Sequence, residues 1–165
     1  MRRISSALTI TVLAALPLPT FAHGADDQAK GAKGAASTEQ HAFGVEGDPK
    51  KATRRIAISM DDSMQYSLST IRVRQGETVT FVISNRGKLM HELVIGTEDE
   101  LRKHAELMRK NPTMEHDEPY MAHVKPGATE RLTWIFNRPG SFMYGCLVTG
   151  HFEAGMKGRI VVAAR

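Results

Sequence analysis

The sequence predicts an all-β fold, a sandwich of two antiparallel sheets with one short helical insertion. Three observations support this prediction. From Arg55 onward apolar residues alternate with polar ones, the runs are short and rich in Ile, Val, Thr and aromatic residues, and turn sequences such as RQGE and KPGA separate them. A span of about 110 residues with this rhythm is long enough to bury one core.

Seven segments carry the strand pattern. In chain order they read RIAISM, STIRVR, TVTFVISN, HELVIG, ERLTWIF, SFMYGC and GRIVVAA. One segment breaks the alternation: TEDELRKHAELMRK has Leu101, Ala105 and Met108 at three- and four-residue spacing behind a capping residue, Thr97. This spacing predicts a short amphipathic helix, and the polar stretch NPTMEHDEPYMAH after it is predicted to be a loop.

The N-terminal residues indicate export. Arg2 and Arg3 precede an apolar run that ends in a small-residue exit at Ala22, the pattern of a secretory signal peptide. We therefore predict a signal peptide over residues 1–22, cleaved near Ala22, and a periplasmic mature protein. Residues 23–54, rich in Ala, Gly, Lys and Asp, are predicted to be a flexible leader, and residues 55–165 the folded domain.

The charge balance argues against nucleic-acid and membrane partners. The full chain has 22 basic and 18 acidic side chains. Loss of Arg2 and Arg3 with the signal peptide leaves 20 against 18, a net charge of +2. A charge this small gives no electrostatic support for binding nucleic acid or a membrane surface, and the mature chain is not expected to insert into a membrane.

The chain has one cysteine, which lies in the stretch CLVTGHFEAGM. Cys146, His151 and Met156 follow one another at five-residue intervals between two predicted strands. An unpaired cysteine in an exported chain calls for a reactive or metal-ligating role. Thiolate, imidazole and thioether form a soft donor set that selects copper, and electron-transfer copper sites add a second histidine.

His91 is the best candidate for that second histidine. It begins a predicted strand after a Gly-containing turn, in NRGKLMHELVIG, and so can face the loop at the same end of the sandwich. His104, His116 and His123 lie on the predicted helix and the loop after it, where the sequence fixes their positions less well.

These segments resemble the cupredoxins, the type 1 (blue or green) copper proteins. GETVTFVISNRGKLMHELVI resembles the family's segment with the first histidine, and FMYGCLVTGHFEAGM resembles its Cys, His and Met loop. The resemblance implies a Greek-key β-sandwich with one type 1 copper per chain, held by His91, Cys146, His151 and a weak axial Met156. The resemblance is greatest to periplasmic cupredoxins linked to copper tolerance. The sequence departs from the family pattern at Thr149, where many members have proline.

The resemblance implies one-electron Cu(I)/Cu(II) chemistry in copper tolerance, with a mobile electron carrier as the alternative. The partner would be a redox protein or a periplasmic copper-handling protein. Electrons would pass through His151, inside an apolar rim of Leu147, Val148, Phe152 and Ala154. A multicopper oxidase or nitrite reductase is not expected, because the chain has one such unit and no His-x-His.

The Met- and His-rich insertion is a candidate for a second, weaker copper site. Its candidate ligands are His104, Met108, Met114 and His116. His104 and Met108 lie one helical turn apart, which allows them to share a metal. The competing interpretation is that Met108 packs in the core and the others are solvated.

Overall fold

The computed structural model describes residues 37–112, 114 and 116–165, which form ten strands and one α-helix. The elements are β1 (Val45–Glu46), β2 (Arg54–Asp61), β3 (Gln65–Tyr66), β4 (Thr70–Arg74), β5 (Glu77–Asn85), β6 (His91–Gly96), α1 (Glu98–Lys110), β7 (Met121–Val124), β8 (Thr129–Phe136), β9 (Gly140–Gly145) and β10 (Lys157–Ala163). The predicted all-β class with a short helical insertion is confirmed.

The strands form two five-stranded sheets. The first sheet has the order β1-β8-β5-β2-β3 and the second has the order β4-β10-β9-β6-β7. β2 runs parallel to β5 and β4 runs parallel to β10, whereas the other pairs are antiparallel. The prediction of wholly antiparallel sheets is wrong in this detail. Because the chain passes from one sheet to the other after β3, β4 and β5, strands of the same direction become neighbours.

The main core lies between the two sheets. β2 shows the alternation that builds it, since Ile56, Ile58 and Met60 are buried while the residues between them are more exposed. Trp134 and Phe81 are among the large side chains that this core encloses. Burial of a large apolar side chain contributes about 1.5–3 kcal/mol, so the core fixes the strands whose ends carry the candidate ligands.

The predicted helix is confirmed as α1. The Thr97 hydroxyl accepts a hydrogen bond from the Glu100 N–H, and the Glu100 carboxylate accepts one from the Thr97 N–H, which together form a capping box. Leu101, Ala105 and Met108 are the buried residues of α1, as their spacing predicts. They belong to a second apolar cluster, between α1 and the outer face of the second sheet.

The prediction of a loop over NPTMEHDEPYMAH is wrong at its C-terminal end. Met121–Val124 forms β7, which pairs antiparallel with β6 and sets Glu92 opposite His123. Four residues are too few to display an alternation of their own. The pairing depends on the edge of β6, which the sequence of this segment does not reveal.

The folded domain begins before the predicted boundary at Arg55. Within the predicted leader, Phe43 is buried with 2% of its surface exposed, and its ring stacks on that of Trp134 at a centroid distance of 5.4 Å. The Trp134 indole N–H donates to the Phe43 carbonyl at 2.9 Å, and β1 pairs with β8. These contacts pack residues 37–54 onto the sandwich. Phe43 is the large apolar residue that anchors this polar segment.

The predicted signal peptide, residues 1–22, and the first part of the predicted leader, residues 23–36, lie outside the described residues. Within the described part of the chain, the helix α1 is too short and too polar to cross a bilayer. Export and cleavage near Ala22 stay predictions from the sequence.

Candidate metal centre

The four predicted copper ligands lie at one end of the sandwich. His91 is the first residue of β6, Cys146 follows the last residue of β9, and Met156 precedes the first residue of β10. β9 pairs antiparallel with both β6 and β10, so the end of β9 lies beside the start of β10 and three residues along β6 from His91. His151 lies in the loop that joins β9 to β10.

Main-chain hydrogen bonds hold this loop in shape. The Cys146 N–H donates to the Met156 carbonyl at 3.0 Å, and the Met156 N–H donates to the His151 carbonyl at 3.0 Å. The His151 N–H donates to the Val148 carbonyl at 2.9 Å. Gly150 has a φ of +86°, a left-handed conformation that glycine adopts without strain. The loop therefore fixes His151 relative to Cys146 before any metal is bound.

His91, Cys146 and His151 direct their donor atoms towards one point. The Nδ1 atoms of the two histidines are 3.2 Å apart, and the Cys146 Sγ is 3.3 Å from the His151 Nδ1. All three donor atoms lie within 4.8 Å of one another. His91 and Cys146 are fully buried, whereas His151 is half-buried. Across residues 37–112, 114 and 116–165, no other group of three His, Cys or carboxylate side chains lies as close.

The chemistry of this donor set fits copper. Two imidazoles and one thiolate form the trigonal arrangement of electron-transfer copper, and a thioether is the usual weak axial donor. Met156 is fully buried and shares a main-chain hydrogen bond with Cys146, which keeps it near the other donors. Structural zinc sites use four Cys, His or carboxylate ligands instead.

Burial controls the protonation of the metal-free centre. It raises the pKa of the Cys146 thiol to about 12. Hydrogen bonds from the main-chain N–H groups of Glu92 and Val148 lower this pKa, but their effect is smaller than that of burial. Burial and the nearby His91 lower the pKa of His151. The histidine is thus a neutral donor near pH 7, and a copper ion that binds must displace the thiol proton.

Asp62 positions His91 and is absent from the predicted site residues. Its Oδ1 lies 3.3 Å from the His91 Nε2, and its carboxylate accepts the N–H groups of Lys88 at 2.8 Å and Leu89 at 3.1 Å. These hydrogen bonds, that from Lys88 first, lower the pKa of Asp62. A proton on Nε2 that faces this carboxylate leaves Nδ1 free as the ligand. Asp62 is 29 residues from His91, and no local sequence signal links them.

The substitution Asp62→Ala is expected to weaken Cu(II) binding about 10- to 100-fold, the usual cost of losing the partner that orients a ligating histidine. Competition titration against a chelator of known affinity measures the change. Asp61→Ala is the matched control, because the Asp61 side chain accepts hydrogen bonds from Ser63 alone among the described residues. Equal affinities for the two variants would contradict the role given to Asp62.

The predicted apolar rim around His151 is only partly correct. Leu147 and Phe152 are 1% and 4% exposed and pack in the cluster beneath α1, so they are structural residues. Val148 is half-buried and Ala154 is exposed. The prediction failed for Leu147 and Phe152 because the helix that covers them comes from a distant part of the sequence.

The structure brings most of the predicted second copper site to one groove. This groove, of about 940 Å³, is lined by Met108, Met114 and His116, together with Met90, Glu92 and His123. His104 is not among the residues that line it, although its ring centroid lies 4.4 Å from that of His116. Burial and the neighbouring His116 lower the pKa of His104.

Two buried polar atoms in the groove residues have no hydrogen-bond partner among the residues that the structure describes: the Nε2 of His116 and the Oε2 of Glu92. The other Glu92 oxygen, Oε1, lies 2.9 Å from the His123 Nδ1, and this hydrogen bond is the main reason that the pKa of His123 rises to about 9. Glu92 is absent from the predicted sites. The sequence did contain one indication of its role, because a glutamate beside the apolar residues of the strand HELVIG is unusual.

Comparisons with known proteins agree with the fold and with copper binding. The family model described as copper binding proteins, plastocyanin/azurin family, matches residues 53–163. The chain is 46% identical over 120 residues to the copper-resistant cuproprotein CopI of Rubrivivax gelatinosus, with 73% of each protein covered. It is 32% identical over 159 residues to the CopI of Vibrio cholerae, with 91% of each covered.

Solved structures give the same result. Reduced auracyanin from Roseiflexus castenholzii superposes with a TM-score of 0.60 at 27% identity, over 68% of this chain and 98% of that one. Auracyanin A from Chloroflexus aurantiacus, described as a blue copper protein, superposes with a TM-score of 0.55 at 22% identity, over 66% and 97% of the two chains, and so supports the fold alone. The convergent His, Cys and His donors, the family match and the CopI relatives lead to one conclusion: this chain is a cupredoxin, a member of the plastocyanin/azurin family of copper-binding proteins.

Proposed function

We propose that this cupredoxin is a periplasmic type 1 copper protein that serves copper tolerance by one-electron Cu(I)/Cu(II) chemistry. His91, Cys146 and His151 would hold the copper, with Met156 as the weak axial ligand. The observation that carries the proposal is the convergence of one thiol and two imidazole nitrogens within 4.8 Å. The copper-resistance names of the CopI relatives support the physiological role.

The described residues supply a rigid frame for this chemistry. The bound copper supplies a one-electron couple. The hydrogen-bonded loop from Cys146 to Met156 holds its donors in place, and Asp62 holds the ring of His91. Rigid ligands limit the rearrangement that a change of oxidation state requires. His151 is the half-buried ligand, so its outer edge is the proposed point at which electrons enter or leave.

The groove beside the centre is the proposed second, weaker copper site, and it would collect Cu(I). Met108, Met114 and His116 line it, and thioether and imidazole are donors that suit Cu(I). The Nε2 of His116 has no partner within the described ranges, which supports this assignment, because a buried ring nitrogen without a partner is costly unless a ligand satisfies it. His104 lies against His116 and outside the groove lining, which favours a supporting role for it.

The substitution His116→Ala is expected to weaken Cu(I) binding in the groove by at least roughly tenfold, since losing a direct ligand costs no less than losing an outer partner. Anaerobic titration with a chromogenic Cu(I) chelator measures it in a Cys146→Ser background, in which the main centre has lost its thiolate and holds Cu(I) more weakly. His104→Ala is the matched control and is expected to have a smaller effect. One copper per fully loaded wild-type chain, with no change for either variant, would contradict the second site.

A mobile electron carrier is the alternative role. Leu89 and Met90 are large apolar residues that are 47% and 38% exposed, directly before His91. An apolar surface next to the metal centre is suited to brief contact with a redox partner protein. In either role we propose that the chain is not an enzyme of the multicopper oxidase or nitrite reductase type.

Visible absorption and electron paramagnetic resonance (EPR) spectra of the Cu(II)-loaded protein test the copper chemistry. An intense thiolate-to-copper band with a type 1 signal is expected, and a colourless type 2 spectrum would overturn the proposal. Gene deletion tests the role. Copper sensitivity that the wild-type gene restores would support copper tolerance, whereas a respiratory defect with normal copper tolerance would support the carrier.

A further inference from the structure

Glu92 lies between the metal centre and the groove and contacts both. Its main-chain N–H donates to the Cys146 Sγ at 3.3 Å. Its side chain lines the groove on the other side of the second sheet, where Oε1 meets the His123 Nδ1 at 2.9 Å. Successive residues of a strand point to opposite faces, so His91 faces the centre and Glu92 faces the groove.

The Glu92 carboxylate is only half satisfied. The residue is 5% exposed, and its Oε2 is buried with no hydrogen-bond partner in the described part of the chain. A buried carboxylate oxygen is costly unless it is paired. A cation in the groove would supply the missing partner of this oxygen. The same cation could also satisfy the Nε2 of His116, the other buried atom of the groove lining with no partner among the described residues.

His123 holds Glu92 and is not itself free to bind a metal. Its Nδ1 faces the Glu92 carboxylate at 2.9 Å, and its Nε2 faces the His116 carbonyl at 2.8 Å. Both partners are acceptors, so both ring nitrogens act as donors. His123 therefore fixes Glu92 and also ties it to the main chain of His116.

We propose that Glu92 is the link through which Cu(I) in the groove passes its electron to the copper held by Cys146. This inference rests on the proposed function. The path runs from the Glu92 carboxylate through its own side chain and main-chain N–H to the Cys146 Sγ. One electron moves: the cuprous ion in the groove becomes cupric and the cupric ion at Cys146 becomes cuprous. No proton is transferred.

A second connection between the groove and the ligand loop provides the comparison. The Thr149 hydroxyl donates to the Met108 carbonyl at 3.3 Å, which joins the end of α1 to the loop. Thr149 contacts neither the thiol nor either histidine ligand by any hydrogen bond seen among the described residues. If any contact between the groove and the ligand loop could carry the electron, loss of the Thr149 hydrogen bond would slow electron transfer as much as loss of the Glu92 side chain.

Stopped-flow reduction under anaerobic conditions tests the link. Protein with Cu(II) at Cys146 is mixed with increasing Cu(I), and the bleaching of the thiolate-to-copper band is followed. In Glu92→Ala and Glu92→Leu the limiting rate at saturating Cu(I) is expected to fall by roughly tenfold or more, the scale on which outer partners of metal sites act. Glu92→Gln, whose amide oxygen can accept from His123, is expected to retain most of the rate. Thr149→Val is the matched control.

Ascorbate separates the link from a general disturbance of the centre, because it can deliver electrons at the exposed edge of His151. Bleaching by ascorbate is expected to be unchanged in every variant. The link is overturned if Cu(I) bleaches the alanine and leucine variants at the wild-type limiting rate, or if ascorbate slows by the same factor. A wild-type protein without the thiolate band would overturn the proposed function itself, and with it the link.

Discussion

Replacing Cys146 by serine is expected to abolish the intense visible band and the type 1 EPR signal of the copper-loaded protein. The band requires a thiolate bound to copper, and a serine hydroxyl is a hard donor that stays protonated near pH 7. Copper that still binds would be held by His91 and His151 with oxygen donors. The spectrum would then be weak and of type 2, and the reversible one-electron couple would be lost.

The fold of this variant should remain. Cys146 is fully buried and small, and a serine oxygen can accept the same N–H of Glu92 that the sulfur accepts. Thermal unfolding of the metal-free variant should therefore lie close to that of the metal-free wild type. A type 2 spectrum that is the same in the wild type and in the folded Cys146→Ser protein would exclude Cys146 as the copper ligand. The remaining interpretation would be a copper binder built on histidine and methionine.

The placement of three of the four predicted ligands was accessible from the sequence because His91, Cys146 and Met156 each lie at or next to a strand end. Cys146 and Met156 flank a loop whose two ends join neighbouring strands, and His91 begins a strand at the same end of the sandwich. Asp62 was not accessible. It reaches His91 from the turn between β2 and β3, and that approach depends on how the two sheets stack.

Glu92 and His123 show a different limit. Their pairing depends on the register between β6 and β7, and β7 is too short to be recognised from its own residues. A cross-strand pair is invisible when one of its strands is not predicted. The second copper site was predicted as a set of residues on one helix and loop, whereas the groove is completed by Met90, directly before β6, and by the strand residues Glu92 and His123.

The substitution Phe43→Ala is expected to destabilise the domain by about 3–5 kcal/mol, the usual cost of truncating a buried phenylalanine. Phe43 is 2% exposed and packs against Trp134 and Tyr120, at ring-centroid distances of 5.4 and 5.6 Å. Thermal unfolding of the metal-free protein measures the effect, and the midpoint should fall by roughly 10 °C or more. Metal-free protein is required because bound copper would add its own stabilisation.

Two companion variants show whether the effect comes from the anchor. Phe43→Leu keeps most of the apolar volume and should lose less stability than Phe43→Ala. Glu39→Ala changes an exposed residue of the same segment, and its midpoint should stay near that of the wild type. If Phe43→Ala also unfolded at the wild-type midpoint, residues 37–54 would contribute nothing to the sandwich. The stable domain would then begin near the predicted boundary at Arg55, and the packing of Phe43 on Trp134 would add nothing to its stability.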